Sequence, residues 1–296
     1  MHAFDIQLLV DLSYVVMALL ILLLAKLTLG FLTPYDTDDE LTGNDNPAFG
    51  ISLLGYYLGV LIVFLGAIYQ DPSLSEGEDV VLDHFLVDLG VDMIWALSAV
   101  IMLNVARFVL DRVVLRGFSV RDEILRDRNT GMGAVEFGTY VSAGLIVAGA
   151  ISGEGGEGGV AAGLITTISF LGLGLFCLLV FALGYQRLVR YDLLAELEAD
   201  NPAAGVAYGG NLIAVGIVLM RGSAGTFTTW AEHLERFAFY AVMGLFLVVV
   251  ARRVIDGAFL TGRTLQQEIA EDRNVNAGYL EGGLLIGLAA VVALAT

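Results

Sequence analysis

The hexapeptide DNPAFG at residues 45–50 opens one long apolar run, and DNPAAG at residues 200–205 opens another. In each, the asparagine, Asn46 or Asn201, stands where a helix N-cap belongs. The proline that follows, Pro47 or Pro202, takes the first helical position, where its missing N–H costs nothing. Downstream, Gly55 and Gly59 are four residues apart, and Gly210 and Ala214 repeat that spacing, which lets helices approach closely in lipid.

A second correspondence is longer. ARFVLD at 106–111 matches ARRVID at 251–256, and EILRDRNTGMGAVEFG at 123–138 matches EIAEDRNVNAGYLEGG at 268–283. The offset is 145 here and 155 for the hexapeptides, because the first copy carries a longer acidic loop, QDPSLSEGEDVVLD, after its second apolar run. Ordered identity of this kind marks a duplication, with residues 1–151 and 160–296 as the copies and the glycine- and glutamate-rich stretch 152–159 as the linker.

With 57% hydrophobic and 16% charged residues and a mean hydropathy of +0.78, the chain is too apolar for a soluble domain, where about 25% of residues are charged. It belongs in a lipid bilayer. Eight runs are long enough to cross one, at 8–31, 47–69, 85–105, 133–151, 160–185, 202–220, 228–250 and 278–295. Residues 1–6 lack the basic start of a signal peptide. Of the 15 bases, 13 fall on or beside the connections after runs one, three, five and seven. The bias of Lys and Arg toward the cytoplasm therefore puts both termini outside the cell membrane. The expected fold is all-α: eight transmembrane helices in two parallel four-helix repeats, related by a pseudo-two-fold axis along the membrane normal.

An acid-containing first cytoplasmic loop, an Asn and small residues opening span two, a glycine-rich second helix and a short fourth helix with an EGxL-like motif resemble the domain-of-unknown-function 350 family, the YjfL-like membrane proteins. The resemblance runs through both copies, whereas the family's common form has one unit. It implies a membrane protein and carries no activity with it.

Composition excludes several classes. Thirty-two acids against 15 bases argue against a nucleic-acid partner, which needs a basic face. Acid-rich loops with a single lysine, Lys26, point to a halophile, where carboxylates stay hydrated in strong salt. One cysteine, Cys177, and three scattered histidines, His2, His84 and His233, form no metal-ligand spacing. HExxH, GxSxG and phosphate-loop motifs are absent from the sequence, so neither an enzyme nor a cofactor is expected.

The candidate functional residues are carboxylates in helices. Glu136 and Glu281 occupy the same position in the two copies, early in spans four and eight, where an ionisable side chain is costly. Related by a central axis, they would face each other at the seam between halves and bind a cation or pass a proton. Equally, an acid in a first turn complements the helix dipole. On the outer side Asp88, Asp92, Glu232 and Glu235 form a candidate acidic mouth for small cations or polyamines. The rival expectation is a non-transporting scaffold that docks a soluble cytoplasmic partner through the Arg-rich connections 107–129 and 252–274.

Overall fold

In lipid every backbone donor and acceptor must be satisfied within the protein, so spanning segments are helices. The computed structural model describes residues 3–68, 90, 93–94, 97–98, 100–105, 108, 119–152, 159–225, 227–260 and 262–295. Its helices are α1 (Ala3–Leu32), α2 (Pro47–Ile68), α3 (Val120–Leu125), α4 (Thr130–Ile151), α5 (Gly159–Leu188), α6 (Leu193–Glu198), α7 (Pro202–Ser223), α8 (Trp230–Val254) and α9 (Val275–Ala295), with π-helical turns at Asp39–Gly43, Ile255–Phe259 and Gln267–Glu271. Seven of the described helices are long and apolar enough to cross a bilayer. Most of the third expected run, 85–105, lies outside the described residues; every described residue from 90 to 108 is α-helical.

Two kinds of long helix emerge. α1, α5 and α8 expose leucines, valines and phenylalanines along much of their length, among them Leu19, Leu27, Ile168, Val242 and Phe246. That surface suits lipid. The glycine-rich α2, α4, α7 and α9 instead form the core, packed in the order α2, α4, α7, α9. Contacts climb together along each pair: Gly55, Gly59 and Gly66 of α2 lie on Phe137, Tyr140 and Ala148 of α4. Adjacent core helices therefore run parallel.

The start of each core helix repeats four times rather than twice. Asn46, Asn129, Asn201 and Asn274 each accept a backbone N–H from the first turn of their helix, at 2.8 to 3.2 Å. The amide of each donates to a glutamate in the preceding short turn: Glu40 at 3.1 Å, Glu123 at 3.0 Å, Glu196 at 2.8 Å and Glu268 at 2.7 Å. The same glutamates accept the asparagine backbone N–H through their carbonyls. Closing so tight an elbow puts the residue before each asparagine in the left-handed region: Asp45, Arg128, Asp200 and Arg273 have φ of 46°, 55°, 54° and 50°, and they are the only non-glycine residues among those described with positive φ. The molecule is thus built from four elbow-and-helix units.

Three of the four asparagines also reach forward to the next unit. Asn46 donates to the carbonyl of Ile124 at 2.9 Å, Asn129 to that of Leu197 at 2.6 Å and Asn201 to that of Ile269 at 2.8 Å. Glycines let the helices follow. A Cβ on Gly55, Gly138 or Gly210 would overlap the backbone of Phe137, Gly209 or Gly282 respectively. One on Gly133, Gly205 or Gly278 would strike the carbonyl of Ala48, Gly131 or Ala203.

This geometry does not show the expected central axis as a closed two-fold. A two-fold relation between halves would match the α4–α7 contact with an equal one between α9 and α2, and α2 and α9 form no comparable contact. The seam between halves is the same head-to-tail joint found inside each half, because every joint uses the same asparagine and the same glycine positions.

The joints predict a hierarchy of stabilities. Asn129→Ala and Asn201→Ala each remove a cap and strand a buried carbonyl, for an expected loss of about 2–4 kcal/mol. Asn274→Ala, which loses the cap and the Glu268 contact but no forward bond, is expected to cost about 1 kcal/mol. Thermal unfolding in detergent checks the order; a larger loss for Asn274→Ala would contradict it.

Candidate functional site

Glu136 sits seven residues beyond its cap Asn129, about 10 Å along α4 at 1.5 Å per residue. It is 4% exposed, and Ser52 of α2 donates a short hydrogen bond to its Oε2. The carboxylate lines a cavity of about 640 Å³ that also holds Thr28, Thr33, Asn104 and Arg121 on otherwise apolar walls. Arg121, at the cavity's edge, lies 5.5 Å from the Tyr35 ring centroid. Asn104 donates to the Tyr56 hydroxyl at 3.2 Å, and that hydroxyl donates to the Ala25 carbonyl at 3.3 Å. The chamber thus presents a carboxylate, hydroxyls and an amide, all suited to a proton or a small cation.

Glu281 occupies the same register in the second half. It is fully buried, and its Oε1 accepts from Tyr185 of α5 at 3.0 Å, from Asn211 of α7 at 2.9 Å and from Arg252 of α8 in a short ion pair. Arg252 also donates to the Tyr185 hydroxyl at 2.9 Å. The opposite oxygens, Glu281 Oε2 and Asn211 Oδ1, are buried without a hydrogen-bond partner. An arginine held this way neutralises the carboxylate, so the second site is closed by an internal cation.

The two carboxylates do not meet. Ala134 and Gly138 face α7, and Glu136, two residues from each, points about 160° away at 100° per residue. Glu281 is held by residues of the second half alone. The head-to-tail joint is the reason: it turns equivalent faces of the two halves in succession rather than toward each other.

Other candidates fall apart as a site. Asp88 and Asp92 lie outside the described residues. Glu232 and Glu235 are exposed at the start of α8, where Glu232 donates its N–H to the Thr229 cap at 3.3 Å and accepts from Thr228 at 2.5 Å. Between them His233 is buried beside Phe170 and Phe227, with Arg236 Nη2 2.7 Å from its Nε2. At the elbow of the second unit, burial pushes the Glu123 carboxyl above the usual carboxylate range, opposed by the hydrogen bond from Asn129. The capping and packing residues Asn46, Pro47, Gly55, Gly59, Asn201, Pro202, Gly210 and Ala214 all belong to the core helices and their joints.

Sequence reading missed Ser52, Tyr185 and Arg252. For Arg252 a signal was present, since Arg107 and Arg252 recur at the same 145-residue offset as Glu136 and Glu281. By sequence these arginines are assigned to topology and to docking a soluble partner. Arg107 itself lies outside the described residues.

Apolar helices, parallel glycine joints and repeated polar elbows define an all-α polytopic membrane protein. The profile described as Domain of Unknown Function (DUF350) matches twice, over residues 5–151 and 159–296, and the chain belongs to that family as a tandem duplication. It is 24% identical to a UPF0719 transmembrane protein of Aquifex aeolicus (strain VF5) over 251 residues, 84% of this chain and 86% of that one. No solved structure matches.

The closed site yields a prediction. Arg252→Ala strands a buried carboxylate and is expected to cost about 3–5 kcal/mol. Adding Glu281→Gln should recover most of that loss in the same melting assay; no recovery would show that Arg252 acts through packing instead.

Proposed function

We propose that the protein binds or conducts a proton or small cation through the chamber that Glu136 lines. The observation that supports this is the buried carboxylate on the wall of a cavity of about 640 Å³. Low-dielectric walls strengthen its attraction for a cation. The reading uses eight spans: α2 and α4 run parallel and in contact, so the chain between residues 68 and 130 must return across the membrane, and 85–105 is the apolar run available for it. With the basic elbows in the cytoplasm of a cell membrane, both termini lie outside.

In liposomes loaded with a pH-sensitive dye and energised with a cation gradient, the wild-type protein is expected to carry flux that Glu136→Gln abolishes. Glu281→Gln should leave flux per folded protein intact. Flux equal in wild type and Glu136→Gln, or none above empty vesicles, overturns the reading.

A scaffold that docks a soluble partner is the second reading, supported by the exposed arginines Arg126, Arg253 and Arg263 on the elbow side. It expects native-membrane partners to be lost when 107–129 and 252–274 are replaced.

A further inference from the structure

The array of core helices ends with both of its joint-forming faces uncovered. Nearly all of α4 is buried, 94% of its most apolar stretch, against 39% for α9. The difference lies on one face. Gly138 and Ser142 of α4, nine and thirteen residues past Asn129, press on α7, whereas Gly283 and Gly287, at the same places past Asn274, have nothing within 4 Å. Tyr279 on that face is 63% exposed. At the other end, Gly50 and Leu54 of α2 take the places of Gly205 and Gly209, which pack on α4. Leu54 is 53% exposed.

The polar half of the joint is unfinished in the same way. Asn274 holds Glu268 as its three counterparts hold their glutamates, but its amide makes no forward bond to a carbonyl of another unit. The carbonyl in the matching place is that of Leu41, which follows Glu40 as Ile124, Leu197 and Ile269 follow Glu123, Glu196 and Glu268.

We propose that a second copy of this chain covers these faces, with α9 of one molecule packed on α2 of the next and Asn274 donating to the Leu41 carbonyl across the interface. Leu54 fills the space above Gly283. The interface continues one that the chain already makes three times, and it commits to a heterologous contact, which propagates in the membrane plane to a closed ring or an open ribbon. The chain does not complete the joint alone. Within the chain α2 and α9 share the walls of a groove of about 390 Å³, with Leu54 and Gly283 among its lining, and do not close on each other. The inference is independent of the cation chamber, which lies on the far side of α4 from this groove.

Disulfide trapping in lipid nanodiscs or native membranes tests it, using the full chain with Cys177→Ala. Leu54→Cys protein mixed with Gly283→Cys protein should cross-link to twice the chain mass, while either variant alone should not. The double variant Leu54→Cys/Gly283→Cys should give a ladder. Gly283→Leu, placed where an added Cβ meets nothing within 4 Å, should fold normally and abolish association in light scattering. A double variant that cross-links only within one chain overturns the proposal in favour of self-closure. Cross-linking of either single variant with itself overturns it in favour of a two-fold dimer. A monomer without cross-links means lipid covers both faces.

Discussion

An asparagine side chain that serves two helices at once organises this molecule. Its oxygen satisfies an orphan N–H at the start of one core helix, and its amide reaches the glutamate behind and the carbonyl of the next elbow. Neither bond is replaced by water at low cost where the helix enters the bilayer. With the elbows tied at one level, the helices above them start in register. Glycine at two fixed positions per joint then lets backbones touch, which is how helices associate in lipid without a hydrophobic driving force between them.

From that register follows the placement of the two carboxylates. Both sit at the same register, and each bonds back across its own joint, Glu136 to Ser52 of α2 and Glu281 to Asn211 of α7. The described neighbours of each carboxylate come from its own half. In the second half α8 delivers Arg252 to Glu281 and α5 delivers Tyr185; in the first, Glu136 borders a cavity beside Ser52 and Asn104.

The two-copy repeat was legible because offset identity needs no structure. The four-unit repeat was written in the sequence too, as a glutamate five or six residues before each asparagine and glycines four and nine residues after it. It was obscured by irregular spacing between units and by divergence at every other position. Glu40 and Asn46, for example, are embedded in an acidic loop, while Glu123 and Asn129 lie among arginines. Only the common left-handed residue and the common hydrogen bonds reveal that these are one device.

By itself the sequence determined that the chain is helical, lives in a bilayer, is duplicated, and places Glu136 and Glu281 in equivalent positions. Hydropathy, periodicity and identity are local properties, and they survive without coordinates. The direction in which one unit follows the next was decided by tertiary structure, because a small-residue face is equally compatible with a two-fold and a head-to-tail contact. So was the fate of each carboxylate, since whether Arg252 neutralises Glu281 depends on how an outer helix leans against a core helix 29 residues further along the chain.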